Sequence, residues 1–128
     1  ERDPFALMEF QLEWPHFDIA LYQACLKLYE GEHNFEDFTT NPSDKDNFIR
    51  RIDSIDFVEA GAGHYITTFK GNGFMTYMVR ILVGVAFKVA MSKMSLTEVA
   101  ALLAPTKRQI ISYKAPAAGL CLERVIYG

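Results

Sequence analysis

Residues 74–92 form an apolar stretch of helical length that carries one guanidinium, Arg80, directly ahead of Ile81, Leu82, Val83, Gly84, Val85, Ala86 and Phe87. A helix of this composition is built for burial, so the chain has to wrap it with other layers. No Asp or Glu occurs between Glu59 and Glu98, which leaves Arg80 without a carboxylate nearby in sequence. A guanidinium does not lose its proton at physiological pH, and burying one without an anion is strongly unfavourable. Its partner therefore comes from a distant part of the chain, from another chain, or from a phosphate.

With 128 residues, 50% of them hydrophobic, the chain is one domain (residues 1–128) with enough apolar surface for a core. Aromatic and charged fractions of 13% and 23% describe a folded domain rather than a disordered one. Cys25 and Cys121 sit in apolar segments without a second Cys or His at metal-ligand spacing, so a metal site and a disulfide scaffold are both unexpected. That usage favours a reducing, cytoplasmic setting. Arg80, Gly84 and Lys88 interrupt the longest apolar run, against a membrane span, and no signal-peptide pattern opens the chain. The opening Glu1-Arg2-Asp3-Pro4 lacks Met and reads as the middle of a linker, the expectation for a piece of a longer protein.

The net charge of −3 hides an asymmetry: residues 1–59 hold 14 acidic and 5 basic side chains, whereas residues 60–128 hold 2 acidic and 8 basic. One basic and one acidic face suit a domain that meets a polyanion on one side, although surface charge also segregates without such a role.

Hydrophobic period and turn chemistry define the elements. Residues 7–14 alternate, with Met8, Phe10, Leu12 and Trp14 on one face, which predicts a half-buried strand ended by Pro15. Asp18 is placed to cap a helix whose Leu21, Cys25 and Leu28 share a stripe, with Phe17 as the apolar staple and Gly31 as the exit. Residues 33–43 read as a loop. Residues 48–59 read as a strand with a bulge, and Gly61-Ala62-Gly63 turns into a strand over 65–70. Asn72 is expected to cap a helix over 73–92, and Ser95-Leu96-Thr97-Glu98 is a capping box opening a shorter helix before Pro105. Residues 120–127 close as a strand. This order is the split βαβ pattern of the ferredoxin-like α+β class, an antiparallel sheet with helices on one face and the other face open.

Three segments carry a family resemblance. Gly31-Glu32-His33-Asn34-Phe35-Glu36-Asp37-Phe38 resembles the G-x-H-D-F-x-x-F segment of TruA-type tRNA pseudouridine synthases. Lys70-Gly71-Asn72-Gly73-Phe74, continued by Met78-Val79-Arg80 and Val83-Gly84, resembles that family's K-A-N-A-F-L-x-x-M-V-R-x-x-V-G. Ala115-Pro116-Ala117-Ala118-Gly119-Leu120-Cys121-Leu122, with Val125 and Tyr127, resembles A-P-A-x-G-L-Y-L-x-x-V-x-Y, and Asp3-Pro4-Phe5 resembles the N-P-F after the family's linker. Two departures stand out. Thr76-Tyr77 replaces a frequent His pair, and Cys121 replaces a Tyr.

The resemblance covers only the C-terminal half of such enzymes, which are built from two similar halves around a cleft. It implies that the nucleophilic Asp, in an R-T-D-x-G-V-H motif, belongs to an N-terminal half absent here, and that the fragment alone is inactive. Arg80 would pair with that Asp, while Met78 and Leu120 would wall the uracil pocket. The implied substrate is the anticodon arm of tRNA and the implied parent a homodimer needing no cofactor or metal.

Other candidates have structural competitors. Asn72 offers a helix N-terminus to an RNA phosphate or simply caps a turn, and Lys107, Arg108 and Lys114 contact the tRNA backbone or form a solvated basic face. His33, Phe35 and Phe38 stack on RNA or plug a core edge. An alternative for the whole chain is a free-standing ferredoxin-like module that binds RNA or protein through its open sheet without catalysis.

Overall fold

A computed structural model describes residues 5–12, 17–39, 48–61, 63–74, 77–104 and 120–127. The first and last of these segments are described as backbone strands, with the side chain of Leu7 added. The described elements run β1 (Phe5–Leu12), α1 (Ile19–Tyr29), β2 (Gly31–Asn34), a 3₁₀ turn (Glu36–Phe38), β3 (Ile49–Gly61), β4 (His64–Gly71), α2 (Met78–Ala90), α3 (Leu96–Leu102) and β5 (Leu120–Tyr127).

The five strands form one sheet in the order β2-β3-β4-β1-β5, and every neighbouring pair is antiparallel. Strands β1 and β3 thus run parallel with β4 between them, the split βαβ arrangement expected for the ferredoxin-like α+β class. The short β2 is an addition to that pattern. Its sequence, Gly-Glu-His-Asn, has no alternation that would mark a strand, and it forms because residues 31–34 pair with residues 49–52 of β3.

Local chemistry sets the helix ends. Asp18 Oδ1 accepts the Leu21 N–H at 3.1 Å, and the Phe17 ring lies 5.5 Å from that of Tyr22, which completes the expected cap and staple of α1. Gly31, at φ +99°, turns the chain from α1 into β2. At α3 the capping box closes in both directions, Glu98 N–H to Ser95 Oγ at 3.1 Å and Ser95 N–H to Glu98 Oε1 at 2.9 Å.

The core lies between the sheet and the helices. Tyr22, Cys25, Leu26 and Tyr29 of α1 meet α2, of which Met78, Val79, Ile81–Phe87, Val89 and Ala90 are all buried. Helix α1 also packs on α3 and β3, and α2 reaches the 3₁₀ turn. Tyr22 is the hub: its ring lies 5.0–5.7 Å from those of Phe17, Phe57 and Phe87, and its hydroxyl shares a 2.9 Å hydrogen bond with Thr67 of β4. Cys25 Sγ donates to Tyr29 Oη at 3.3 Å, and Tyr29 Oη donates to the Leu82 carbonyl at 2.7 Å, so the polar atoms between α1 and α2 are satisfied. Phe35 and Phe38 are fully buried and stack edge-on at 5.9 Å, so they plug the core rather than face RNA.

Candidate functional site

The site is built where β4 delivers the chain into α2. Gly71, the last residue of β4, is buried, and a Cβ there would stand 2.3 Å from the Arg51 carbonyl oxygen. Only glycine permits this approach of the two backbones. The β3–β4 register slips between Ile52 and Ser54, the bulge expected for β3, and Asn72 fastens the strand end beside it. Asn72 N–H donates to the Arg51 carbonyl at 3.0 Å, while Asn72 Oδ1 accepts the Arg51 N–H at 2.8 Å.

This corrects the expected role of Asn72 as a helix cap. Helix α2 begins at Met78, not residue 73, and its N-cap residue is Tyr77, which makes no side-chain capping bond. The Asn72 carboxamide oxygen serves β3 instead, extending the ladder by one step as the chain leaves the sheet.

Arg80 lies in the first turn of α2 and is half-buried. Among the described residues no carboxylate comes within 4.0 Å of its guanidinium, whereas Lys27 pairs with Glu30 at 3.2 Å and Arg51 with Asp53 at 2.6 Å. Met78, expected to wall a pocket, is fully buried in the core cluster and offers no surface in this chain. Leu120 opens β5, where its backbone is in register with Leu12 of β1. Lys107, Arg108 and Lys114 fall outside the described residues. Two features are not marked in the sequence. The Arg51–Asn72 clamp joins residues 21 positions apart, and Tyr77 takes a left-handed backbone at φ 59° while 47% exposed.

A hollow of about 490 Å³ opens at the opposite end of α2, lined by Leu21, Val89, Lys93, Met94, Leu96 and Glu98 among others. Val89 is nine residues from Arg80, roughly 13 Å along the helix, so this hollow is separate from the Arg80 region. Among the described residues there is no group of three or more His, Cys, Asp or Glu side chains able to hold a metal, and no helix long and apolar enough to cross a membrane.

The protonation states of the interior are fixed by burial. Desolvation pushes the Cys25 thiol up to about 11, and the Tyr22 and Tyr29 phenols rise well above their ordinary value for the same reason. These groups are neutral structural partners and not nucleophiles.

A ferredoxin-like α+β sheet and a half-buried arginine at the strand-to-helix junction define the class. Residues 25–128 match the family model described as tRNA pseudouridine synthase, and the chain belongs to that family. It is similar to tRNA pseudouridine synthase A of Listeria innocua, at 38% identity over 127 residues, covering 98% of this chain and 51% of the relative. It is also similar to tRNA pseudouridine synthase A of Aster yellows witches'-broom phytoplasma (36% identity, 92% of this chain, 48% of the relative) and of Solidesulfovibrio magneticus (38%, 87% and 41%). The chain therefore spans about half the length of the curated relatives it matches.

Proposed function

We propose that this chain is the C-terminal half of a tRNA pseudouridine synthase and forms one wall of its active-site cleft. The supporting observation is Arg80: half-buried, at the start of a buried helix, and without a carboxylate within 4.0 Å among the described residues, in a chain half as long as its relatives. The other half supplies the nucleophilic Asp, and Arg80 pairs with it. The planar fork of Arg suits a carboxylate better than the point charge of Lys, and it keeps the Asp ionised and oriented for attack.

In this reading the target uridine leaves the RNA stack before reaction, as base-modifying enzymes require. The bond from the ribose to N1 breaks, the detached uracil turns within the cleft, and a bond to C5 forms while the C5 proton is lost and N1 is protonated. The isomerisation consumes no co-substrate. The anticodon arm of tRNA is the substrate, the parent protein is a homodimer, and it works in the cytoplasm. Leu120 lies at the cleft edge of β5, and Lys107, Arg108 and Lys114 steer the RNA backbone. Asn72 sets the entry to the cleft through Arg51 and does not cap a helix toward phosphate.

The test compares the 128-residue chain alone with the same chain in its full-length protein, each assayed for pseudouridine in transfer RNA by carbodiimide labelling. Product from the full-length protein and none from the chain alone supports the reading. Turnover by the chain alone would remove the shared cleft, and an inactive but folded full-length protein would favour a binding module without catalysis.

A further inference from the structure

Asn72 stands between Gly71 and Gly73, and Gly73 holds φ +150°, a backbone that residues with side chains rarely adopt. A joint of two glycines leaves the chain free to swing as it passes from β4 toward α2. Asn72 closes that joint at two points on one residue, its N–H on the Arg51 carbonyl at 3.0 Å and its Oδ1 on the Arg51 N–H at 2.8 Å. Arg51 is a firm anchor, since β3 is paired with β2 at Arg51 itself and with β4 at the next residue, Ile52. Helix α2 has no such hold of its own, because its N-cap residue makes no side-chain capping bond. Burial of Met78 and Val79 keeps the helix start in the core, but apolar burial is non-directional, whereas the clamp fixes a distance and an angle. Asn72 is itself exposed, so its side chain adds no core packing, and one surface hydrogen bond contributes little to stability. What it fixes is the course of the chain into the first turn of α2, where Arg80 sits eight residues on.

We propose that Asn72 is a positioning residue for Arg80: by locking the joint between the two glycines it sets where the first turn of α2 carries the guanidinium. This rests on the synthase reading above and adds to it a residue that governs the chemistry through another, without touching the RNA. A two-pronged guanidinium–carboxylate pair accepts a narrow range of geometry, so a small shift of the helix start lowers the rate while the fold and the RNA affinity survive.

Four variants of the full-length protein test this: Asn72→Ala, Asn72→Asp, Arg80→Lys and the double variant Asn72→Ala with Arg80→Lys, each measured for thermal midpoint, Kd for transfer RNA and single-turnover rate. Asn72→Ala should react about tenfold more slowly or worse, at wild-type Kd and with its midpoint within about 3 °C. Asn72→Asp keeps an oxygen for the Arg51 N–H and should recover a rate within about threefold of wild type. In the Arg80→Lys background, Asn72→Ala should slow the reaction no further, because residues acting through one contact are not additive. A wild-type rate in Asn72→Ala would overturn the proposal, and so would an equal loss in Asn72→Asp or a full further loss in the double variant. A weakened Kd would make Asn72 an RNA contact instead, and a midpoint below the assay temperature would make it a structural one. A slow Arg80→Lys beside a normal Asn72→Ala removes the positioning role alone, whereas an Arg80→Lys that turns over like the wild type removes the reading on which it rests.

Discussion

A guanidinium cannot relieve burial by losing its proton, so the environment of Arg80 has to be completed by an anion or by water. That distinguishes it from Cys25, whose neutral form is simply favoured by its surroundings. The thiol, raised to about 11 and buried beneath α2, should react with a thiol reagent only as fast as the chain opens. Labelling at Cys25, followed by peptide mass spectrometry to separate it from Cys121, should therefore be slow in the native chain and should accelerate on adding denaturant; immediate labelling at Cys25 would show that it is accessible. Gly71 is a second residue with a sharp expectation. A Cβ at 2.3 Å from the Arg51 carbonyl forces the strands apart, so Gly71→Ala should lower stability by about 2 kcal/mol or more, read from the midpoint of urea unfolding.

At the scale of elements, α2 supplies the largest single share of the core, and its two ends have different chemistry. Truncating fully buried Leu82 to Ala should cost about 2–5 kcal/mol, while Ser95→Ala, which opens the α3 capping box, should cost about 1 kcal/mol. Urea unfolding of the two variants checks the order, and equal losses would mean that α2 is less tightly held than its burial indicates. Most elements were legible because their signals are local. Alternation marked β1, Asp18 and Phe17 marked the start of α1, and Ser95 with Glu98 marked α3. Strand β2 was hidden because four polar residues become a strand only through pairing with β3. The start of α2 was misplaced for a related reason: Asn72 between two glycines has the look of a helix cap, but its hydrogen-bond partner, Arg51, lies 21 residues upstream. Of the site, Arg80 could be found from charge against an apolar background. Tyr77 could not, because a left-handed tyrosine leaves no mark in composition or period.

For the whole molecule, burial of weak acids makes stability depend on pH at the alkaline end. The folded state holds the Cys25 proton more tightly than the unfolded chain does, so its contribution is intact below pH 9.0 and is lost as pH climbs through about 11, with Tyr22 and Tyr29 adding to the fall above pH 10. Thermal midpoints should be level from pH 7 to pH 9 and then decline; a flat profile to pH 11 would mean that these groups are hydrated in the fold. The charge asymmetry of the chain also has a consequence. RNA binding driven by the basic second half should weaken steeply with salt, and a Kd insensitive to ionic strength would contradict a phosphate-contact role for that half.

The most direct measurement is single-turnover pseudouridine formation by full-length protein carrying Arg80→Lys, with folding and transfer-RNA affinity measured on the same sample. Lys keeps the charge but loses the two-pronged hold on a carboxylate, so the rate should fall at least about a hundredfold, at unchanged thermal midpoint and similar affinity. A variant that folds, binds and turns over like the wild type would show that Arg80 has no part in the chemistry.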